Sequence, residues 1–498
     1  MSGSMDKTAR RDAARGFKAP PLSDKEKNAI IGGVLLSMLL AALDQTIVAP
    51  AMPTIAGALG HAEYLPWIVT GYLLTATAVA PLYGKISDIY GRRPTIYAAV
   101  LIFLLGSVVS ALAPNMLTLV IGRAIQGMGG GGLFALSQTV IGDLVPPRER
   151  ARYAAWIAGT WAVASIAGPL LGGTFAEHLH WSLIFWINIP LGLLAMAIIN
   201  TPLKKLPVAA RSHSIDGLGA LLLVVATSLL LLALNWGGST YPWGSAEILG
   251  LIAASAVFWA AFTLRLLRAA EPLISLEVLG DPVVRAGTLA MFALQAANVG
   301  LTVYLPVYLQ SVLGLNASQS GTAMLGLLLG TVAGATLGGK TIPRFIHYKR
   351  IALAGALFSA ACLVVFALVA ASSSLFMVQV LTVLIGIGAG ATFPVCTVSV
   401  QNAVDNAHLG VATGVLTFLR SLGSALGVAM LGAVALGYGL PLGGEGLHTG
   451  AHVATAEPFA MIFLACAATT LLGFVMLWLM PERTLRGHAP ENAGLPDP

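Results

Sequence analysis

Charge is scarce in this chain. Asp, Glu, Lys and Arg make up 10% of its 498 residues against 57% hydrophobic, too little charge to cover the surface of a water-soluble fold of this size. Cysteine is scarcer still. The three present, Cys362, Cys396 and Cys466, each lie inside an apolar run, which argues against a disulfide framework or a thiolate metal site and leaves them as small core residues. No Gly-x-x-x-x-Gly-Lys-Ser/Thr segment is available to hold a nucleoside triphosphate, and the glycine run Gly129 to Gly132 falls inside a long apolar stretch rather than at a phosphate-cradling turn. His448 and His452 are spaced i, i+4 in a Gly-rich loop with no third ligand evident. These absences speak against an ATP-driven pump, a secreted disulfide scaffold and an enzyme with a catalytic motif. No cofactor, metal or nucleic-acid partner is expected.

What is present is apolar length. A mean hydropathy of +0.84 places the chain among all-α integral membrane proteins, whose partner is the lipid bilayer. Apolar runs of about 20 residues, bounded by charge or turn residues, give fourteen expected spans, from 29–50, 65–83, 95–113, 117–142, 153–176 and 182–202 through to 458–480. The segment before Asn28 is charged and polar, and the run after it is too long for a cleaved signal peptide.

The basic residues orient the chain. Lys85, Arg92 and Arg93; Arg148, Arg150 and Arg152; Lys204, Lys205 and Arg211; Arg265, Arg268 and Arg285; Lys340, Arg344, Lys349 and Arg350; and Arg483 and Arg486 all fall, with an even span count, on the side of both termini. The excess of positive charge explains the pI near 9.3 and predicts cytoplasmic termini. Arg123 and Arg420 alone lie within spans.

The chain also repeats. Gln126 to Gly131 in the fourth span is echoed by Ile385 to Gly390 in the twelfth, and Gly84-Lys85 with Arg92-Arg93 is echoed by Gly339-Lys340 with Lys349-Arg350. Expected units are therefore a tail 1–28, a six-helix bundle 29–202, a linker 203–283 with two extra helices, a second six-helix bundle 284–480 and a tail 481–498. Parallel halves of this kind belong to transporters, with substrate between them at the bilayer midplane.

Asp44 is the outlier of the first run. At about 1.5 Å per residue from Ala29 it lies roughly 22 Å into a hydrocarbon core about 30 Å thick, where a charged Asp costs on the order of 3 kcal/mol, so a function is the default reading. Arg123, about seven residues or roughly 10 Å into the fourth span, is at a similar depth and needs a partner. Asp44 is the obvious one, as a working pair or as a static structural ion pair.

Gly84-Lys85-Ile86-Ser87-Asp88-Ile89-Tyr90-Gly91-Arg92-Arg93-Pro94 reads on its own as a basic connection between spans. Taken with the repeat, it resembles the signature loop of the major facilitator superfamily, which implies that Asp88, Arg92 and Arg93 latch cytoplasmic helix ends; the second-half copy lacks the Asp. Arg123-Ala124-Ile125-Gln126-Gly127 resembles the family's Arg-x-x-Gln-Gly motif. Gly159 to Gly173, including Gly168-Pro169 and Gly172, reads as a bent, small-residue packing face. It is similar to the superfamily's antiporter motif, with Ala164 at one customary glycine, and implies export.

Leu43-Asp44-Gln45-Thr46-Ile47-Val48 with Ala51 and Pro53 resembles the first-span motif of the fourteen-span drug:proton antiporter family, although Ala49 stands where Asn is usual and Pro50 is additional. Tyr304 to Gln310 and Phe418 to Gly423 are similar to that family too, as is Asp216-Gly217 at the start of the extra pair. The resemblance implies the major facilitator fold with two additional central helices. It also implies a proton-coupled antiporter in the inner (plasma) membrane, exporting small amphipathic compounds as a monomer. Asp44 and Arg123 would couple protons, and Gln45, Gln126, Tyr304, Tyr308, Gln310 and Arg420 are candidates for the substrate cavity. Rival readings are an uptake symporter, a specific metabolite or lipid exporter, and a non-transporting receptor.

Overall fold

A computed structural model describes residues 22–60, 65–145, 147–204, 216–238, 240–269, 271–315, 317–342, 347–405, 408–438, 440 and 456–485. Most of both expected tails, Arg344, and the loop carrying His448 and His452 lie outside the described residues. The described chain is helical and contains no strand.

The first half contains α1 (Asp24–Ile47), α2 (Met52–Leu59), α3 (Leu65–Tyr90), α4 (Arg92–Ala111), α5 (Met116–Leu144), α6 (Pro147–His178), α7 (Leu183–Trp186) and α8 (Asn188–Leu203). A hairpin follows, α9 (Gly217–Trp236) and α10 (Ala246–Arg268), then α11 (Leu276–Gly280). The second half is α12 (Pro282–Ser311), α13 (Ala317–Thr341), α14 (Lys349–Val369), α15 (Leu375–Ala403), α16 (Leu409–Gly437) and α17 (Glu457–Leu479).

Local chemistry sets several boundaries. α1 starts five residues before the expected Ala29 because Ser23 and Glu26 form a reciprocal capping box, Glu26 N donating to Ser23 Oγ at 3.4 Å and Ser23 N to Glu26 Oε2 at 3.0 Å. Asn115 caps α5 by accepting from Thr118 N at 2.9 Å, and Asp281 caps α12 by accepting from Val283 N at 2.8 Å. Past Ile47 the chain tightens into a 3-10 turn, Ala49–Ala51, and resumes as α2. The prolines at 50 and 53 thus redirect the helix rather than end it.

Among the described residues, thirteen segments are long and apolar enough to cross a membrane, with α7 and α8 acting as one. The expected count is fourteen. The remaining segment, α6, has 32 residues, about 48 Å of helix, but its opening Pro147-Arg148-Glu149-Arg150-Ala151-Arg152 and its several polar residues lower its hydropathy.

Helix packing follows the sequence repeat position by position. A side chain at Gly127 or Gly131 would collide with the α3 backbone at Tyr72 and Ala76, and one at Gly129 with α4 at Phe103. In the second half, Gly386 and Gly390 face α13 at Leu327 and Thr331, and Gly388 faces α14 at Gly355 and Ser359. Each glycine comb lets one helix pack closely against two neighbours at once. The hairpin α9–α10 is not a detached linker. Leu223, Leu231 and Phe262 share a core with Val284, Met291 and Phe418 of the second half, while Thr70 and Asn235 meet at 3.3 Å on the first-half side. Only 17% of the most apolar stretch of α10 is buried, against 72% for α5, so α10 presents its surface to lipid.

Candidate functional site

Helix ends that carry Lys and Arg meet one another, Arg93 reaching Asn200, Lys349 reaching the Met480 carbonyl and Arg483 reaching Asp281, and this end of the molecule is called the basic face. Between the halves lies a cavity of about 1280 Å³. Its wall includes Gln45 of α1, Thr77 of α3, Gln138 of α5, Ser165 and Pro169 of α6, Tyr304 of α12 and Arg420 of α16. The lining runs out to Trp243 in the α9–α10 turn, Thr322 at the start of α13 and Leu436 at the end of α16, all at the end opposite the basic face.

At the basic face the halves are joined. Asp88, near the end of α3, accepts from the backbone N–H groups of Gly410 at 3.1 Å and Val411 at 2.9 Å. His408, which precedes α16, offers its first turn no side-chain cap, so a carboxylate from the other half satisfies these amides and faces the positive end of the helix dipole. Arg92 holds Asp88 in place at 2.5 Å and also binds Asp143 at 2.6 Å and Ser87 at 2.6 Å. Gly84 and Gly410 touch backbone to backbone, with no room for a side chain at either. Deeper in, Gln401 of α15 donates to Thr413 at 3.3 Å and to the Gln138 carbonyl at 3.4 Å.

Arg93, expected in this cluster, is elsewhere: it donates to Asn200 at 2.9 Å and lies over the Tyr97 ring. Helical rotation of about 100° per residue turns Arg92 and Arg93 to different neighbours. Asp143 supplies the second carboxylate instead, twenty residues after Arg123 and just before Pro146 and Pro147, where no motif marks it.

Behind the cavity wall, Asp44 and Arg123 form a direct ion pair and are 0% and 1% exposed. Arg123 also donates through Nε to the Ile68 carbonyl at 3.0 Å and through Nη1 to Gln126 Oε1 at 2.7 Å, and its guanidinium lies 4.4 Å from the Tyr72 ring centre. Gln126 Nε2 donates to Asp44 Oδ1 at 2.6 Å and to Ser107 at 2.7 Å. Asn188 Nδ2 donates to the same two groups at 3.1 and 3.0 Å. A buried pair is tolerable only when its remaining valences are met in this way. Among the described residues, Asn188 Oδ1 is left buried without a partner. Tyr72, Ser107 and Asn188 are members that sequence reasoning missed; only Asn188, the one polar side chain between Leu183 and Ile199, left a readable trace.

The antiporter-like helix α6 packs on the end of α1 beside this pair. Thr46 Oγ1 donates to the Ala164 carbonyl at 2.8 Å, a side chain at Gly168 would strike Thr46, and one at Gly172 would strike the Ile47 carbonyl. Gly159 and Gly173 face open space instead, so two of the four glycines make the close approach. Pro169 is exposed toward the cavity.

The cavity candidates divide. Gln45, Tyr304 and Arg420 line it, whereas Gln126 is spent on Asp44. Tyr308 does not reach it: its hydroxyl donates to the Ala370 carbonyl at 2.8 Å within a cluster of Phe366, Phe459 and Phe463. Gln310 is exposed away from the cavity. Four and six residues beyond Tyr304, these two sit nearer the end of α12, and their expected placement is corrected accordingly. Among the described residues no cluster of three or more His, Cys, Asp or Glu could hold a metal ion.

Two helical halves around a central cavity, with an ion pair buried behind its wall, define a membrane transporter rather than an enzyme. The family model of the Major Facilitator Superfamily matches residues 34–428, and the chain belongs to that superfamily. It is 33% identical over 488 residues to an uncharacterised MFS-type transporter of Mycobacterium tuberculosis, covering 93% of this chain and 71% of the relative. It is 32% identical over 409 residues to the multidrug transporter protein MdtP of Bacillus subtilis, covering 82% and 75%. The solved proton:xylose symporter XylE shares the fold at a TM-score of 0.63 and 17% identity, covering 93% of this chain and 98% of that one.

Proposed function

We propose that this chain is a proton-coupled antiporter of the fourteen-span drug-efflux type, exporting small amphipathic compounds across the inner (plasma) membrane by alternating access. The observation that carries the reading is the Asp44–Arg123 pair, a titratable group kept at membrane depth with every near neighbour arranged to hold it. Relatives named multidrug transporters support the substrate class. The positive-inside rule makes the basic face and both termini cytoplasmic, and the cavity then opens outward.

In this scheme the units 29–202 and 284–480 rock against each other as a monomer, with 203–283 travelling beside them. A protonated Asp44 no longer attracts the guanidinium, so proton capture releases Arg123. Asn188, by turning its amide, can offer its unpartnered Oδ1 to the new O–H. Because α1 ends against Gly168 and Gly172, a shift at Asp44 is passed to α6 and so to the cavity wall. One proton crossing about 100 mV supplies roughly 2.3 kcal/mol, enough for about a 40-fold gradient of a neutral compound.

Everted membrane vesicles acidified by respiration test the direction. Antiport predicts that adding an exported compound raises lumenal pH; an uptake symporter gives no such rise.

A further inference from the structure

We propose that the exported compound carries an anionic group, bound by Arg420 near the closed end of the cavity. This rests on the transporter reading above and names the substrate class of that same cavity. Among the described residues, Arg420 is the only charged side chain in the lining. It is partly buried, and among the described residues neither a carboxylate nor a hydrogen-bond acceptor meets its guanidinium. The two charges buried behind the wall, Asp44 and Arg123, neutralise each other. The cavity therefore has a positive interior, and among the described residues the guanidinium that makes it so keeps all its donors free. An uncompensated guanidinium away from bulk water is costly to keep. Its planar donor fork matches a carboxylate, sulfonate or phosphate.

The neighbouring groups fit a bound anion with an apolar body. Thr417, one turn earlier on α16, is 4% exposed, lines the cavity, and its hydroxyl has no partner among the described residues. Ser421 follows on the same face. Arg420 lies eleven residues, roughly 16 Å, from the start of α16 at the joined basic face. Toward the mouth, α12 adds Gln295 and Asn298 to a wall that is otherwise mainly apolar. An anion at Arg420 would thus place its body along the apolar wall with amides within reach of secondary polar groups.

Anion export also makes fuller use of the membrane potential. A monoanion leaving while one proton enters moves two charges in the favourable sense. About 100 mV then sustains a gradient of roughly three orders of magnitude, whereas for a monocation the electrical contributions cancel.

The test uses three dyes with one fluorophore: dansylglycine (anionic), dansylamide (neutral) and dansylcadaverine (cationic). Binding to the purified full-length protein in zwitterionic nanodiscs is expected to favour dansylglycine at least tenfold. Losing a charge-assisted contact in Arg420→Gln should weaken dansylglycine by roughly 10- to 100-fold and leave dansylamide unchanged. Arg420→Lys should restore part of the difference, and Arg420→Glu should move the preference to dansylcadaverine. Adding phosphatidylglycerol to the nanodiscs separates two sources of the same chemistry: competition that disappears in Arg420→Gln assigns the site to an anionic lipid headgroup, and no competition assigns it to a soluble anion. The proposal is overturned if the parent shows no preference for the anion, if none of the three dyes binds, or if Arg420→Gln changes all three alike. Transport of any dye in proteoliposomes is scored separately, so a working exporter without anion preference refutes this inference alone.

Discussion

Asp88 accepts the backbone N–H of Val411 at 2.9 Å, so a carboxylate of the first half caps a helix of the second. The contact is both a helix cap and a lock, since α16 loses its N-terminal acceptor whenever the halves part at the basic face.

Asp88→Ala should unlock that face. Two hydrogen bonds to a charged acceptor, at about 1.5–3 kcal/mol each, imply a shift of roughly 100-fold or more in the ratio of closed to open basic ends. Spin labels placed across the basic face should report longer distances, with expression and insertion unchanged. Distances equal to those of the parent would reject the lock.

Gly84→Val addresses the same closure through shape. The new side chain meets the Gly410 backbone, which cannot yield as a flexible side chain would, so the halves cannot close and transport should stop. Dye binding from the basic side should persist.

The four glycines of α6 should behave differently from one another. Gly168→Val and Gly172→Val press on Thr46 and the Ile47 carbonyl, an overpacking cost of about 1–3 kcal/mol; transport should fall at least tenfold and the melting temperature should drop. Gly159→Ala and Gly173→Ala meet nothing and should stay within about twofold of the parent, as expected for Gly-to-Ala changes in an open helix position. Equal losses at all four would mean that bending, not packing, is what this segment provides.

The sequence made the spans, the repeat and the pairing of Asp44 with Arg123 legible, because a charge in an apolar run has few ways to be satisfied. It was less informative wherever rotation about a helix axis decides the neighbour. Arg92 and Arg93 are adjacent yet serve different partners, and Tyr304 reaches the cavity while Tyr308, one turn on, fills an aromatic core. The start of α1 was readable in Ser23-Asp24-Lys25-Glu26, whose capping-box spacing moves the helix end outward from the hydropathy boundary. Asp143, Ser107 and Gly410 come from separate elements, and their roles exist only once the helices pack. Arg420 stood out early as a deep cation; that no described residue supplies its counter-ion is a property of the assembled cavity.

In the proposed cycle Asp44 carries the proton. Proteoliposomes loaded with a pH-sensitive dye, containing the parent protein or Asp44→Asn, are given the dansyl compound that the parent exports. Asn keeps the size and hydrogen bonding of Asp but does not titrate. A lumenal pH change is expected for the parent and, for Asp44→Asn, a response equal to that of protein-free vesicles with dye binding retained. An Asp44→Asn protein that still moves protons as the parent does would contradict it.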